Sequence, residues 1–111
     1  MKPLSKAIRD NILGFQNNEI TENFIYDKLS QSTKDLHNKK VLKRISDDEK
    51  RHYNFWKSLT NEDVSPRKLS IWKYLLITKL FGLTFGIKLM ENGEESAQSA
   101  YKGIKLPGVR L

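Results

Sequence analysis

Apolar positions in this chain recur at alternating three- and four-residue steps, the spacing that lines one face of an α-helix. The sequence holds no alternating strand pattern of useful length, no internal repeat and no low-complexity block. The pattern predicts three helices. The first runs from about Leu4 to Gln31 and the second from about Asp35 to Leu59, with Ser32 or Thr33 in the polar connection as candidate N-caps. The stretch TNEDVSPRK ends the second helix. Ser65 before Pro66 is a good N-cap and first-turn pair. It opens a third helix over about residues 66–105, stopped by Pro107-Gly108, with Gly82 and Gly86 as the places for a bend.

Each helix has a facing seam. In the first it is Ile8, Ile12, Phe15, Glu19, Glu22, Tyr26, Leu29. In the second it is Leu42, Ile45, Glu49, His52, Trp56, Leu59, and in the third Leu80, Leu83, Ile87, Met90, Glu94, Ala97, Tyr101, Ile104. Every seam therefore carries at least one carboxylate where an apolar residue belongs. A buried, unpaired carboxylate costs several kcal/mol and must find a cation or take up a proton. The seams supply acids and one imidazole but no lysine or arginine, and a bound metal cation would satisfy them together. One Glu facing a Glu-x-x-His is the ligand arrangement of carboxylate-bridged di-iron bundles. Glu19, Glu49, His52 and Glu94 are thus candidate metal ligands. Glu22 is a ligand, a base behind the ligands or an acid at the bundle end. Tyr26 and Tyr101 read as core residues whose hydroxyls bond ligand carboxylates. His37, Asp47, Asp48, Glu91 and Glu95 lie off the seams and read as surface.

The third helix is apolar on more than one face, with Leu75, Leu76, Leu80, Phe81, Leu83, Phe85 and Ile87. Its apolar stretch has about the length of a membrane helix, but Lys73, Lys79 and Lys88 interrupt it. A core helix, or one lying against a partner or a membrane surface, fits better than a span. Exposed patches of that kind mark interfaces, so an oligomer is expected.

The length of 111 residues suits a single domain over 1–111, and 38% hydrophobic residues suffice for a modest core. With no cysteine, disulfides, thiolate metal sites, iron–sulfur clusters and cysteine nucleophiles are excluded. Together with a start, MKPLSKAIRDNILGF, that lacks an apolar signal core, this favours a cytoplasmic protein, at the cytoplasmic face of a membrane if the third helix docks there. The net charge of +7 is spread through DLHNKKVLKR, SPRKLSIWKY and YKGIKLPGVRL. A scattered basic surface reads as solubility rather than a nucleic-acid groove.

The stretches NNEITENFIYDKLS, VLKRISDDEKRHYNFWK and LFGLTFGIKLMENGEESAQSAY resemble the rubrerythrin-type ferritin-like domain attached to membrane proteins of the vacuolar iron transporter family. The resemblance covers about residues 11–101. It implies a cytosolic ferritin-like bundle that binds iron or manganese and serves a membrane-embedded transporter, with Glu19, Glu49, His52 and Glu94 as ligands and Glu22 at a position that is often acidic. The family pattern continues into a fourth helix, whereas this sequence stops at IKLPGVRL, as expected of a shortened protein or of a fragment of a longer one. It lacks the fourth helix with a second Glu-x-x-His, the transporter's membrane helices and a cysteine-ligated rubredoxin module, which puts peroxidase activity in doubt. The expectation is an all-α ferritin-like bundle, incomplete at the C-terminus, with three helices per chain, that binds iron, manganese or zinc and is completed by a second chain as a homodimer. A di-iron ferroxidase or peroxidase, and a metal-independent module for a membrane partner, are the alternatives.

Overall fold

The computed structural model describes the backbone of residues 4–101 and the side chains of residues 4–92. The described chain is all-α: α1 (Lys6–Ser32), α2 (Leu36–Thr60), α3 (Lys68–Phe81) and α4 (Leu83–Tyr101), with no strand among the described residues. The chain divides into two compact units, Met1–Leu75 and Leu76–Leu111.

The first unit is built on the α1–α2 hairpin. The Ser5 hydroxyl caps α1 by accepting the Ile8 N–H at 3.3 Å. At the other end the carbonyl of Leu29 accepts from the Thr33 N–H, the Thr33 hydroxyl and the Ser32 hydroxyl, at 3.0, 2.6 and 3.2 Å. Ser32 and Thr33 are thus occupied in closing α1. The N-cap of α2 is Asp35, whose carboxylate accepts the Asn38 N–H at 2.8 Å. Residues 33–35 are too few for anything but a reversal, so α2 runs back along α1. The contacts Asp27 with Lys43, Asn23 with Ser46 and Gln16 with Thr60 progress in opposite directions along the two helices, as an antiparallel pair requires. Asn61 ends α2 in the left-handed region (φ 56°), which asparagine tolerates better than most residues, and its N–H reaches the Lys57 carbonyl at 2.7 Å.

α1 buries Ile12, Phe15, Ile20, Ile25, Tyr26 and Leu29; α2 buries Leu42, Tyr53 and Trp56, and α3 adds Ile71. The rings of Phe15 and Trp56 meet with centroids 5.5 Å apart. The α1 seam is buried as expected except at its half-buried members Ile8 and Glu22. On α2 the seam is rotated. The buried positions are Leu42, Ser46, Glu49, Tyr53, Trp56 and Thr60, so Ile45 and Leu59 are only half-buried and His52 is exposed. The residues in their place are polar, and each is satisfied. Ser46 bonds Asn23. The Tyr53 hydroxyl accepts the Val64 N–H at 3.0 Å, and the Thr60 hydroxyl donates to Gln16 Oε1 at 2.8 Å.

Residues 61–67 are stitched to α1. Arg9 reaches the Thr60 carbonyl at 2.8 Å and Glu62 at 2.6 Å. The Gln16 amide donates to the Glu62 carbonyl, the Asn17 amide to the Ser65 carbonyl, and the Thr21 hydroxyl accepts the Arg67 N–H at 2.9 Å. These bonds hold the chain extended past Pro66, so α3 starts at Lys68, two residues later than the Ser65–Pro66 signal suggests.

The expected single third helix is two, which makes four helices rather than three among the described residues. The break is at Gly82, where φ is +94°, a conformation L side chains rarely adopt. In the second unit Gly86 lies against Thr78, close enough that a Cβ there would collide with the threonine side chain.

Candidate metal centre

α1 and α2 each bring one carboxylate to a common point. Glu19 lies in the middle of α1. Glu49 and His52 lie one turn apart on α2, the separation that stacks two side chains on the same side of a helix. His52 Nδ1 is 3.5 Å from Glu19 Oε2 and 3.9 Å from Glu49 Oε1. One ligand atom from each of the three residues lies within 4.8 Å of the others. Glu19 and Glu49 are each 8% exposed, whereas the His52 side chain is 59% exposed. The cluster is therefore lined by buried acids on the hairpin side and reaches solvent through the imidazole.

The buried position of Glu49 has an electrostatic consequence. Its pKa is pushed up from 4.5 to about 12, first by burial, then by its hydrogen bond to Glu19 and the nearby Glu19 charge, and then by Glu22. All of these influences raise the value. The group therefore keeps its proton at neutral pH unless a cation arrives to replace it. Two carboxylate oxygens and an imidazole nitrogen form a mixed oxygen and nitrogen donor set, which suits iron(II), manganese or zinc.

The remaining expected site residues fall as follows. Glu22, half-buried on α1, is close enough to Glu49 to raise its pKa but is not one of the three converging residues. Glu94 and Tyr101 belong to α4, and their side chains lie outside the described residues. Tyr26 is buried in α1. His37, Asp47 and Glu91 are exposed, and Asp48 pairs with Arg51 on the helix surface.

A pair absent from the expected set lies one turn from the acids. The Asn23 side chain donates to the Ser46 carbonyl at 2.8 Å and to its hydroxyl at 3.0 Å, and the Ser46 hydroxyl donates back to the Asn23 carbonyl at 2.9 Å. Asn23 is four residues after Glu19 and Ser46 three before Glu49. This reciprocal clamp sets the spacing of α1 and α2 beside the cluster. The sequence carries no clear signal for this pair, because Ser46 lies beside the apolar seam that the periodicity of α2 suggests.

The basic residues of α2 line a shallow hollow of about 690 Å³ that includes Lys39, Lys40, Lys43, Arg44 and Arg51. Asp27 and Asp47 are interleaved with them and pair with Lys43 at 3.2 and 3.4 Å. Exposed, partly neutralised charge of this kind is an ordinary solvated face.

Comparison with protein-family models, with curated proteins and with solved structures returned no match.

Proposed function

We infer that this chain is a metal-binding helical domain in which Glu19, Glu49 and His52 hold an iron(II), manganese or zinc ion. The observation that carries this reading is the convergence of two buried carboxylates, one from each helix of the hairpin, on one imidazole. A hairpin that needed only stability would place apolar side chains at positions 19 and 49. Two acids facing each other in a buried interface are unfavourable without a cation, and the proton held by Glu49 is the substitute when no metal is bound. When bound, the metal would supply charge neutralisation and, for iron, access to redox chemistry. The protein supplies two oxygen donors and one nitrogen donor.

Three ligands leave coordination positions to be filled, and the exposed imidazole marks the side from which they can be filled. Glu22, three residues after Glu19 on α1, is suited to add to the set, and Glu94 stays a candidate from the sequence alone. The ferritin-like reading goes further. Two hairpins related by a two-fold axis would contribute Glu19, Glu49 and His52 twice and complete a two-metal bundle. The domain would then serve iron handling beside a membrane-embedded transporter.

The test is metal titration of the purified chain, with bound metal counted by elemental analysis and a thermal shift recorded in parallel. Iron(II), manganese or zinc should bind and raise the melting temperature of the native chain, and His52→Ala should lose at least about tenfold in affinity. Equal stoichiometry and affinity in His52→Ala would defeat the reading.

A further inference from the structure

α3 presents large apolar side chains to water. Leu69, Trp72, Leu76 and Leu80 follow one another at steps of three, four and four residues, which places them on a single stripe of the helix, and all four are exposed. Ile71, on the opposite side of the helix, is buried. Leu69 and Trp72 therefore do not belong to the core that takes Ile71. Its composition is unusual for a surface: Trp72 is 72% exposed, while the other tryptophan, Trp56, is 2% exposed in the hairpin.

The charges around the stripe identify what covers it. By helical position Lys73 flanks it on one side and Lys68 and Lys79 on the other, and all three are exposed. Residues 64–90 contain Arg67, Lys68, Lys73, Lys79 and Lys88 and no aspartate or glutamate. A second copy of this chain would bring the same lysines against these, with no acid in the segment to pair them. A membrane span is excluded for α3 by length, since its 14 residues reach only about 21 Å. No described helix is long and apolar enough to cross a membrane. An apolar stripe that carries a tryptophan, edged by lysines and free of acids, matches a helix lying in the interface of a bilayer with anionic headgroups. There the apolar side chains enter the acyl boundary and the lysines extend to the phosphates.

We propose that α3 docks this protein on anionic lipid surfaces, through Leu69, Trp72, Leu76 and Leu80 with Lys68, Lys73 and Lys79 at the headgroups. The docking face contains none of the residues of the metal cluster, and it operates with or without metal.

The experiment is co-sedimentation of the full chain, in the presence of a chelator, with vesicles of phosphatidylcholine alone and of equal parts phosphatidylcholine and phosphatidylglycerol. Tryptophan emission is followed in the same samples. The chain should sediment with the anionic vesicles and not with the neutral ones. The emission should shift to the blue as Trp72 leaves water, with Trp56 already shielded. Binding should weaken as salt rises. The double variant Lys73→Glu/Lys79→Glu should bind at least about tenfold more weakly, and Trp72→Glu/Leu76→Glu should not bind. Both variants alter exposed side chains, so circular dichroism should show native helix content, and His52→Ala should bind vesicles as the native chain does. The proposal is overturned if anionic vesicles capture nothing, if neutral vesicles capture as much, or if the folded variants bind like the native chain. It is equally overturned if the chain forms a salt-resistant dimer that Trp72→Glu/Leu76→Glu dissolves while vesicles are ignored.

Discussion

His52 Nδ1 stands 3.5 Å from Glu19 Oε2, although 33 positions separate the two residues and His52 reaches solvent where Glu19 does not. The imidazole closes the cluster from outside. Replacing it removes a proposed ligand without opening a cavity, so its loss should be felt in metal affinity far more than in folding.

Accordingly, His52→Ala should leave the melting temperature of the metal-free chain within a few degrees of native. It should lower metal affinity by at least about tenfold, and Glu19→Ala should do the same. Paired thermal melts with and without metal separate the two effects, because only the metal-dependent increment reports the site.

Glu49 links the site to pH. Its folded-state pKa is raised from 4.5 to about 12, so between those values the folded protein holds a proton that the unfolded chain releases. The stabilisation from that proton is complete below about pH 4.5 and is lost as pH rises towards the folded value, at up to about 1.4 kcal/mol per pH unit. The metal-free protein should therefore become less stable from pH 5 to pH 9, a window of order four units. Glu49→Gln, which keeps the shape without the charge, should flatten this profile and stabilise the metal-free protein by about 1–3 kcal/mol at neutral pH. Denaturant titrations across the pH range check both. Metal uptake by the native chain should release about one proton, visible as a buffer-dependent binding enthalpy that Glu49→Gln does not show.

The Asn23–Ser46 clamp predicts a coupled loss. Asn23→Ala removes both bonds to Ser46 and should cost about 1–3 kcal/mol of stability, since the serine carbonyl and hydroxyl lose their donor. Because the clamp lies one turn from Glu19 and Glu49, the same variant should weaken metal binding by about tenfold while all three proposed ligands remain. Native metal affinity in Asn23→Ala would show that the clamp serves folding alone.

Two glycines should respond to alanine with opposite signs. Gly14 lies in α1 with nothing within 4 Å of a Cβ, so Gly14→Ala should stabilise by about 0.5–1 kcal/mol. Gly82 sits at φ +94°, so Gly82→Ala should strain the α3–α4 turn by about 1–2 kcal/mol. Thermal melts of the first and limited proteolysis around residue 82 of the second report the two effects.

How much of this was legible in the sequence depends on the kind of interaction. The extents of α1 and α2 follow from local periodicity to within two residues at each end. Glu19 and Glu49 stand out as acids on apolar seams, because a helix repeats its own geometry and needs no partner to do so. The Gly82 break was legible only as one of two places for a bend. What chose it was the positive φ adopted at Gly82, together with the approach of Gly86 to Thr78. The rotation of the α2 face was not legible at all. Ile45, His52 and Leu59 are the more obvious core or ligand residues, yet Ser46, Tyr53 and Thr60 are buried in their place. Their polar atoms become tolerable inside only because Asn23, Val64 and Gln16 come from elsewhere in the chain to bond them. The same holds for α3. Its sequence shows apolar residues on several faces, and tertiary packing within the first unit decided that Ile71 is buried while Leu69 and Trp72 face outward. Periodicity lists the faces a helix has, but which of them is covered depends on where the bonds of residues 61–67 to α1 set the helix down.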